Sequence, residues 1–564
     1  MTVSDYIFEK LVLLGVDTCF QVVGGYSMFL NDSVKRNKNI KCYHFHHENV
    51  CSNAADAYYR QTGKPAVIIL TTGVGYLNAL NGIASMYFGS IPCIVIVGDS
   101  QTDLISKNNI GVRQTGDQST DIISVSQTIT KQSLLLDNTK NLSFDIEHSY
   151  HITTHGRCGP IVINIPIDIQ KKDIDDKQVT LDYHFDTMVD YADKDHSIEI
   201  TNRIKESKSP VILTGTGIRL SNSYSQFKLL VDKLNVPVVY GFNSYDLLDN
   251  NHRLYAGKVG TIGDTGGNTV IQNADLVLIL GNGMSIRTTG YKYKEFMKNA
   301  YKIMVDIDDR EMNKVNVNID MKVRTDLRIF FDRMLQNLKE PLPEKTEWVN
   351  WCKSINYKYP VLQKKHIESK TLNPYYFYSV LSNVLDKDAI VVTANGGASV
   401  IGSQTYKCKV GQRFYTSGNG SMGYGLSASI GAYIGSGKQV ICLEGDGSIM
   451  MSIHELATVK HLNANIKIFV LNNNGYSSIR QTQNNYFKGN YVGCTESDLT
   501  FPKWSLVADS YGINYCKIYD SKNIKNRIDY ILNSFGPMLI EVVVDKDCIF
   551  EPKGIDYEPK EVFK

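Results

Sequence analysis

Three things are missing from this sequence, and each removes a class of function. No apolar run reaches the roughly 18 residues a membrane-spanning helix needs; the longest, IPCIVIV (91–97) and DLVLIL (275–280), have strand length. No block of like charge stands out. Sixty Lys and Arg balance 58 Asp and Glu for a net charge of +2, which argues against a nucleic-acid arm or an acidic tail. No pair of the 11 cysteines has C-x-x-C spacing, the count is odd, and Cys93 and Cys442 lie inside apolar runs. Buried thiols in a reducing cytoplasm are therefore expected in place of a disulfide frame. Short-period repeats and low-complexity tracts are absent too. The first residues, MTVSDYIFEKLVLLG, lack the basic segment of a signal peptide and predict an amphipathic helix capped by Thr2 or Ser4 and stopped at Gly15.

What remains is a chain of 564 residues with 43% hydrophobic and 21% charged residues, the profile of a multi-domain globular protein. Short apolar runs alternate with helix-length segments, which predicts α/β units on parallel sheets. Three blocks are visible. The first has CFQVV (19–23), KCYHF (41–45), AVIIL (66–70), CIVIVG (93–98) and IVINIP (161–166), and leaves through the polar QKKDIDDKQ (170–178). The second has PVILTG (210–215), PVVYGF (237–242), DLVLILG (275–281) and KIMVDID (302–308), with PLPEKTEW (341–348) as a linker. The third has AIVVTANG (389–396), QVICLEGDG (439–447), IKIFVLNNNG (466–475) and MLIEVVVD (538–545). The 43 glycines cluster behind these runs as GVG, TGTG, GNG, NGG and GDG. Ligands of open parallel sheets bind beyond the carboxyl ends of strands, although a lone cluster is as compatible with a tight turn.

The sharpest signal is GDGSIMMSIHELATVKHLNANIKIFVLNNNGY, residues 445–476. One strand delivers Asp446, a helix spans about Ser452 to His461, and the next strand delivers Asn472 to Asn474. Adjacent parallel strands would bring Asp446 and Asn473 together beyond the sheet edge. Carboxylate, amide and carbonyl oxygens suit a hard cation such as Mg²⁺, and glycines beside them let phosphates approach backbone N–H groups. A pair of polar turns is the plainer alternative. In the first block, His44, His46, His47 and Glu48 crowd together, but no HExxH is present, because Cys51 follows His47 by four residues. Alone, Glu48 reads as a carboxylate at a helix N-terminus.

Taken together, GDG followed one βαβ unit later by NN, and HEN followed by AADAYYRQTGKP, resemble the thiamine diphosphate (ThDP) enzymes of the pyruvate decarboxylase and acetohydroxyacid synthase superfamily, over essentially the whole chain. The resemblance implies three consecutive doubly wound α/β domains: pyrimidine-binding over 1–175, central and Rossmann-like over 190–335, a linker over 336–370, and diphosphate-binding over 371–564. It assigns Mg²⁺ to Asp446, Asn473 and the Gly475 carbonyl. Glu48 becomes the residue that hydrogen-bonds pyrimidine N1′ and so activates the cofactor. Met422, in SMGYGL, matches the apolar residue wedged beneath the cofactor, though a lone Met is commonly core. Further cofactor contacts implied are Thr72, Gly73, Asn78, Gly397, Ala398, Ser399, Gly420, Gly445, Gly447, Ser448 and Tyr476. Members of the family place each site between two subunits, so a homodimer or homotetramer is implied.

Within the superfamily, simple decarboxylases carry an adjacent His pair in the first domain and a Glu soon after NN-x-GY. Here Arg113 and Gln114 stand at the first place, and Ile479 and Arg480 near the second. Without those proton donors, attack on a second carbonyl is favoured, hence a carboligase acting on pyruvate or a related 2-keto acid. ITK (129–131), HELAT (454–458) and Gln118 have counterparts in acetohydroxyacid synthase. Thr482 replaces the Trp that selects the second keto acid there, and NNQH becomes NNNG. SIRQTQ resembles synthase-like proteins of unusual sugar biosynthesis, implying a keto-sugar acceptor. Gln114, Gln118, Arg480 and Thr482 are the candidate substrate residues, with Arg480 either pairing an acidic acceptor or forming a surface ion pair. For FAD, TGTGIR (214–219) is a possible remnant site, but Gly283 stands where a flavin-contacting Arg is expected, which favours a central domain without it. The competing readings are a simple 2-keto acid decarboxylase, an FAD-dependent ThDP oxidase, and a catalytically dead homologue. No nucleic-acid or membrane partner is expected.

Overall fold

Short apolar runs bounded by glycine and proline form the central strands of three parallel sheets in a computed structural model, which describes residues 1–105, 111–175, 179–185, 194–552 and 554–563. The expected start of the central domain at 190 and residues 176–178 of the polar exit lie outside the described residues. The first sheet comprises β1 (Thr18–Gln21), β2 (Lys41–His44), β3 (Ala66–Thr71), β4 (Cys93–Asp99), β5 (Gln132–Leu135) and β6 (Pro160–Pro166), in the order β2-β1-β3-β4-β6-β5. The second comprises β7 (Pro210–Thr214), β8 (Val238–Tyr240), β9 (Tyr255–Lys258), β10 (Leu276–Leu280), β11 (Tyr301–Asp306) and β12 (Met321–Arg324), in the order β12-β11-β10-β7-β8-β9. The third comprises β13 (Ile390–Thr393), β14 (Arg413–Tyr415), β15 (Val440–Gly445), β16 (Ile466–Asn472), β17 (Asn514–Ile518) and β18 (Met538–Val543), in the order β14-β13-β15-β16-β18-β17.

The first and third sheets thus share one strand order, while the second has the doubly wound order of dinucleotide-binding folds. Every ladder is parallel. Strands β4 and β6 are buried along their whole length, as expected where helices cover both faces of a sheet. Five strands went unrecognised in the sequence: β5, β9, β12, β14 and β17. All five lie at sheet edges, where one neighbour demands fewer apolar residues.

At the N-terminus Thr2 is the cap of the helix Val3–Leu13, exchanging hydrogen bonds with Asp5 in a capping box. Ser4 instead is buried and donates to the Gln170 carbonyl at 2.9 Å. The linker expected over 336–370 contains a helix. Residues 346–358 form a helix whose Trp348, Val349 and Cys352 are buried in the central domain, and the Trp348 indole donates to Pro210 O at 2.9 Å. The end of the chain also returns there: Phe563 packs against Trp348 and Trp351.

The first and third blocks meet through two helices, Glu48–Thr62 and Tyr424–Ser436. Small residues let them approach closely, since a methyl group on Gly431 would lie 2.0 Å from Ala54 O. Tyr424 donates to Asp56, which also pairs with the buried Arg60. This contact sets the HHEN turn against the HELAT segment.

Candidate functional site

Strands β15 and β16 run side by side, with Gly445 paired to Leu471, so Asp446 and Asn473 emerge together at one end of the third sheet. Asp446 is buried. Its Oδ1 accepts from Gly447 N at 2.8 Å, and its Oδ2 from Asn473 N at 3.0 Å and Gly475 N at 3.1 Å. Burial pushes its carboxyl up to about 6, against the pull of those three N–H groups. Gly475 has φ +143°, and a side chain there would strike Cys494 O at 2.2 Å, so only glycine fits. The segment between the strands is a short helix Asp446–Ile449, a 3₁₀ turn Ile453–Glu455 and a helix Leu456–His461, in place of one continuous helix from Ser452.

Around this loop, the Ser448 hydroxyl accepts from Gly423 N at 2.9 Å, fixing the turn that carries the half-buried Met422. Gly447 lies against the Tyr476 ring, which a methyl group would approach to 2.0 Å. Gly397 begins the helix Gly397–Thr405, with Ala398 and Ser399 buried behind it and the Ser477 hydroxyl 3.2 Å from where its methyl would be. Gly445 has open space beside it.

The sequence reading missed Glu444 and Arg287. Glu444 is fully buried, accepts from Leu426 N at 2.9 Å, and is pushed up to about 7 by burial. Its signal was a carboxylate inside the apolar run QVICLE. Arg287 is half-buried over the Phe242 ring, 4.7 Å from its centroid, and 3.3 Å from the position of a methyl group on Gly420. No carboxylate pairs with it among the described residues, and nothing in GNGMSIR announced it.

In the first block, Glu48 opens its helix after the N-cap His47, and its Oε2 accepts from the Asn78 amide at 3.0 Å. Its other oxygen lies 3.3 Å from the position of a methyl group on Gly75. The buried Glu455 of HELAT accepts from His46 N at 2.9 Å, holding the turn that precedes Glu48. Thr72 is buried with its hydroxyl unpartnered, an orphan beside the GVG turn. Gly73 has φ +59°, and a methyl group there would meet Gln118 O at 1.5 Å, so the segment carrying the exposed Gln114 and Gln118 crosses this turn. Among the described residues, no three His, Cys, Asp or Glu side chains converge as a metal cluster.

The candidate substrate residues on the helix Ser477–Phe487 are otherwise engaged. Thr482 donates to Ser478 O at 3.0 Å. Arg480 forms no ion pair among the described residues and is held instead by oxygens of its own chain. Its Nη2 donates to Asn473 O at 3.0 Å, Asn473 Oδ1 at 2.9 Å and Lys546 O at 2.9 Å, and its Nη1 to Asn474 O at 3.2 Å and Cys494 O at 3.3 Å.

Comparison with known proteins places these features. Three family models match in sequence: the N-terminal TPP binding domain of thiamine pyrophosphate enzymes over residues 1–124, the central domain over 198–335, and the C-terminal TPP binding domain over 394–542. An acetolactate synthase large subunit of Cyanidium caldarium is 30% identical over 95% of this chain and 92% of its own length. The large subunit from Lactococcus lactis is 28% identical over 96% of this chain and 92% of its own length. The chloroplastic acetolactate synthase of Arabidopsis thaliana is 29% identical over 96% of this chain and 81% of its own length. The chain belongs to the thiamine pyrophosphate enzyme family. It is a ThDP-dependent enzyme, and its three parallel sheets are those of the family's three domains.

The residues fit a hard metal ion: a buried carboxylate that no Lys or Arg bonds among the described residues, an amide and a carbonyl-rich loop at adjacent strand ends are oxygen donors. The segments weighed for a flavin contact lie together in the central domain. The glycines of TGTG and the central GNG pack on one another, since a methyl group on Gly215 would lie 2.1 Å from Gly281 O and one on Gly217 2.7 Å from Gly281 Cα. They line a cavity of about 630 Å³. At Gly283, the position of the missing Arg, the outward direction meets Glu311 Oε2 at 3.0 Å. Glu311 is itself paired with Arg157 and Lys314. Among the described residues, no helix is long and apolar enough to cross a membrane.

Proposed function

We propose that this enzyme is a Mg²⁺-dependent 2-keto acid decarboxylating carboligase, transferring an acyl unit from pyruvate or a related keto acid to a second carbonyl, with a keto-sugar as the acceptor. The observation that carries this reading is the helix Ser477–Phe487, SSIRQTQNNYF, which follows the metal loop and contains no Asp, Glu or His. A decarboxylase needs a proton donor there to release an aldehyde. Acetolactate synthases of this length and similarity support the carboligase class.

Bound ThDP supplies the electron sink for decarboxylation. Asp446, Asn473 and the Gly475 carbonyl hold Mg²⁺, while Gly445, Gly447, Ser448, Tyr476, Gly397, Ala398, Ser399 and Gly420 surround the diphosphate. Met422, on the turn fixed by Ser448, would pack beneath the cofactor. Glu48 holds a proton at the aminopyrimidine, with Asn78 orienting its carboxylate and Thr72 and Gly73 beside it. Arg287, which no carboxylate pairs among the described residues and which lies next to Gly420, receives a substrate carboxylate. Gln114, Gln118 and Thr482 stand on the acceptor side.

Glu48 and Asp446 belong to two half-sites of a cytoplasmic homodimer or homotetramer, consistent with exposed apolar residues beside each: Val74 and Leu77 near Asn78, Met450 and Met451 after the GDG loop. The domains run over 1–175, 190–335 and 371–564. Ion pairs in place of an Arg at 283 support a central domain without FAD. Incubation with labelled pyruvate and a panel of aldehydes, keto acids and keto-sugars, followed by mass spectrometry, tests the reading. A ligated product is expected; acetaldehyde as sole product overturns it, and a flavin absorption band in pure protein overturns the FAD assignment.

A further inference from the structure

We propose that Arg480 is a resident cation of the metal loop, one that competes with Mg²⁺ for the Asn473 amide oxygen and so sets the metal affinity of the site. The inference rests on the reading of Asp446, Asn473 and Gly475 as metal ligands.

The guanidinium is placed as a bound cation would be. Its two terminal nitrogens collect carbonyl oxygens from residues 473, 474, 494 and 546, which belong to three separate segments. The same Nη2 also takes Asn473 Oδ1 at 2.9 Å, the side-chain oxygen the metal needs. Gly475 is shaped by this packing, because a methyl group there would lie 2.6 Å from Arg480 Nη1.

Two roles are conceivable for such a residue, and charge separates them. Groups that orient a metal ligand from behind are typically carboxylates, carbonyls or water, which raise the ligand's basicity. Arg480 does the reverse. It is a permanent cation that withdraws electron density from Asn473 Oδ1, and sharing that oxygen would bring two positive charges within about one Debye length, where salt screens them little. Metal binding therefore has to loosen the Arg480 contact to Oδ1, and the anionic diphosphate of the cofactor is what offsets the repulsion. A prediction follows for order of loading: the site binds Mg²⁺ weakly alone and tightly together with ThDP.

The test is calorimetric titration of Mg²⁺ into metal-free protein, with and without saturating ThDP, independent of turnover. Arg480→Met keeps the length and apolar stem but removes the charge, and should bind Mg²⁺ about tenfold more tightly or better without ThDP. Arg480→Lys keeps the charge and should stay within about threefold of the wild type. Equal or weaker binding by Arg480→Met overturns the competition, as does equal tightening in Arg480→Lys; Arg480→Gln replaces the methionine variant if that one does not fold. If the wild type and Asp446→Ala bind Mg²⁺ alike, the metal-ligand reading fails, and this inference with it. If only Asp446→Ala loses binding while Arg480→Met gains none, the ligand reading stands and the competition alone is lost.

Discussion

The first and third sheets have the same strand order, yet their functional ends are built differently. At the end of the third sheet, Asp446 is buried and bonded through both oxygens, Glu444 is buried one residue pair away, and Arg480 gathers the loop carbonyls. At the end of the first, Glu48 is half-buried and, among the described residues, has one side-chain partner, Asn78, which is itself exposed. One half-site is over-determined, which suits the small hard cation proposed for it. The other is open, as a site completed by a second subunit would be. Identical topology therefore fixes where chemistry can sit but not how rigidly it is held.

The largest effect is expected where the open half does its chemistry. Glu48→Gln should keep ThDP affinity, measured by calorimetry, and lower turnover by about 10²- to 10⁴-fold, the usual worth of a positioned proton-transfer group. Near-wild-type turnover would remove Glu48 from the mechanism and leave the first sheet without a chemical role.

Next comes the rigid half. Loss of groups that merely orient a ligand costs about 10- to 100-fold in metal affinity, so Asp446→Ala should exceed about 100-fold in Mg²⁺-dependent ThDP binding. The wild type carries its own titration. Because Asp446 is pushed up to about 6, metal affinity should fall up to about tenfold for each pH unit below that value. In the metal-free protein the sign reverses: the protonated carboxyl is the favoured buried form, so its contribution to stability is present below about 4 and lost as the pH rises through about 6. A flat metal affinity from pH 5 to 7 would show that another group binds the cation.

Much of this arrangement was legible in sequence because parallel strands buried on both faces are nearly continuous apolar runs, and their ends are punctuated by glycine. GDG and NNNG pointed to two adjacent strand ends, where Asp446 and Asn473 do lie together, and HHEN to a glutamate that opens a helix. The edge strands β5, β9, β12, β14 and β17 were not legible, since runs of only three to five residues carry too little pattern. Nor was the helix of 346–358, because PLPE disguised a segment whose Trp348 completes the central core. The carbonyl contacts of Arg480 were not legible for a third reason: a side chain that bonds backbone carbonyls has no partner motif in the sequence.

The junction between the two sheets offers a smaller effect with an informative sign. Gly431→Ala in a helix interior would by propensity gain up to about 1 kcal/mol. Here its methyl group would sit 2.0 Å from Ala54 O and 2.6 Å from Ala54 Cα, backbone atoms that cannot step aside alone. Forced separation of the helices should cost about 1–3 kcal/mol in place of the gain, seen as a lower melting temperature. Increased stability would mean that the two blocks are free to shift relative to one another.

The smallest effect belongs to the central sheet, which shares the parallel architecture but whose glycine turns pack on each other. Arg157 ties the first block to it by pairing with Asp308 at 3.3 Å and with Glu311. These carboxylates are nearly buried, and removing a cation from a buried pair can cost several kcal/mol. Two features reduce that cost. Arg157 is one-third exposed, and both carboxylates keep a second cation, Arg310 on Asp308 and Lys314 on Glu311. Arg157→Gln should therefore lower stability by only about 1 kcal/mol, with ThDP affinity unchanged. A loss of cofactor affinity in that variant would mean that the central domain holds the glutamate half-site in place, and the division of labour between the first and third sheets would have to include the second.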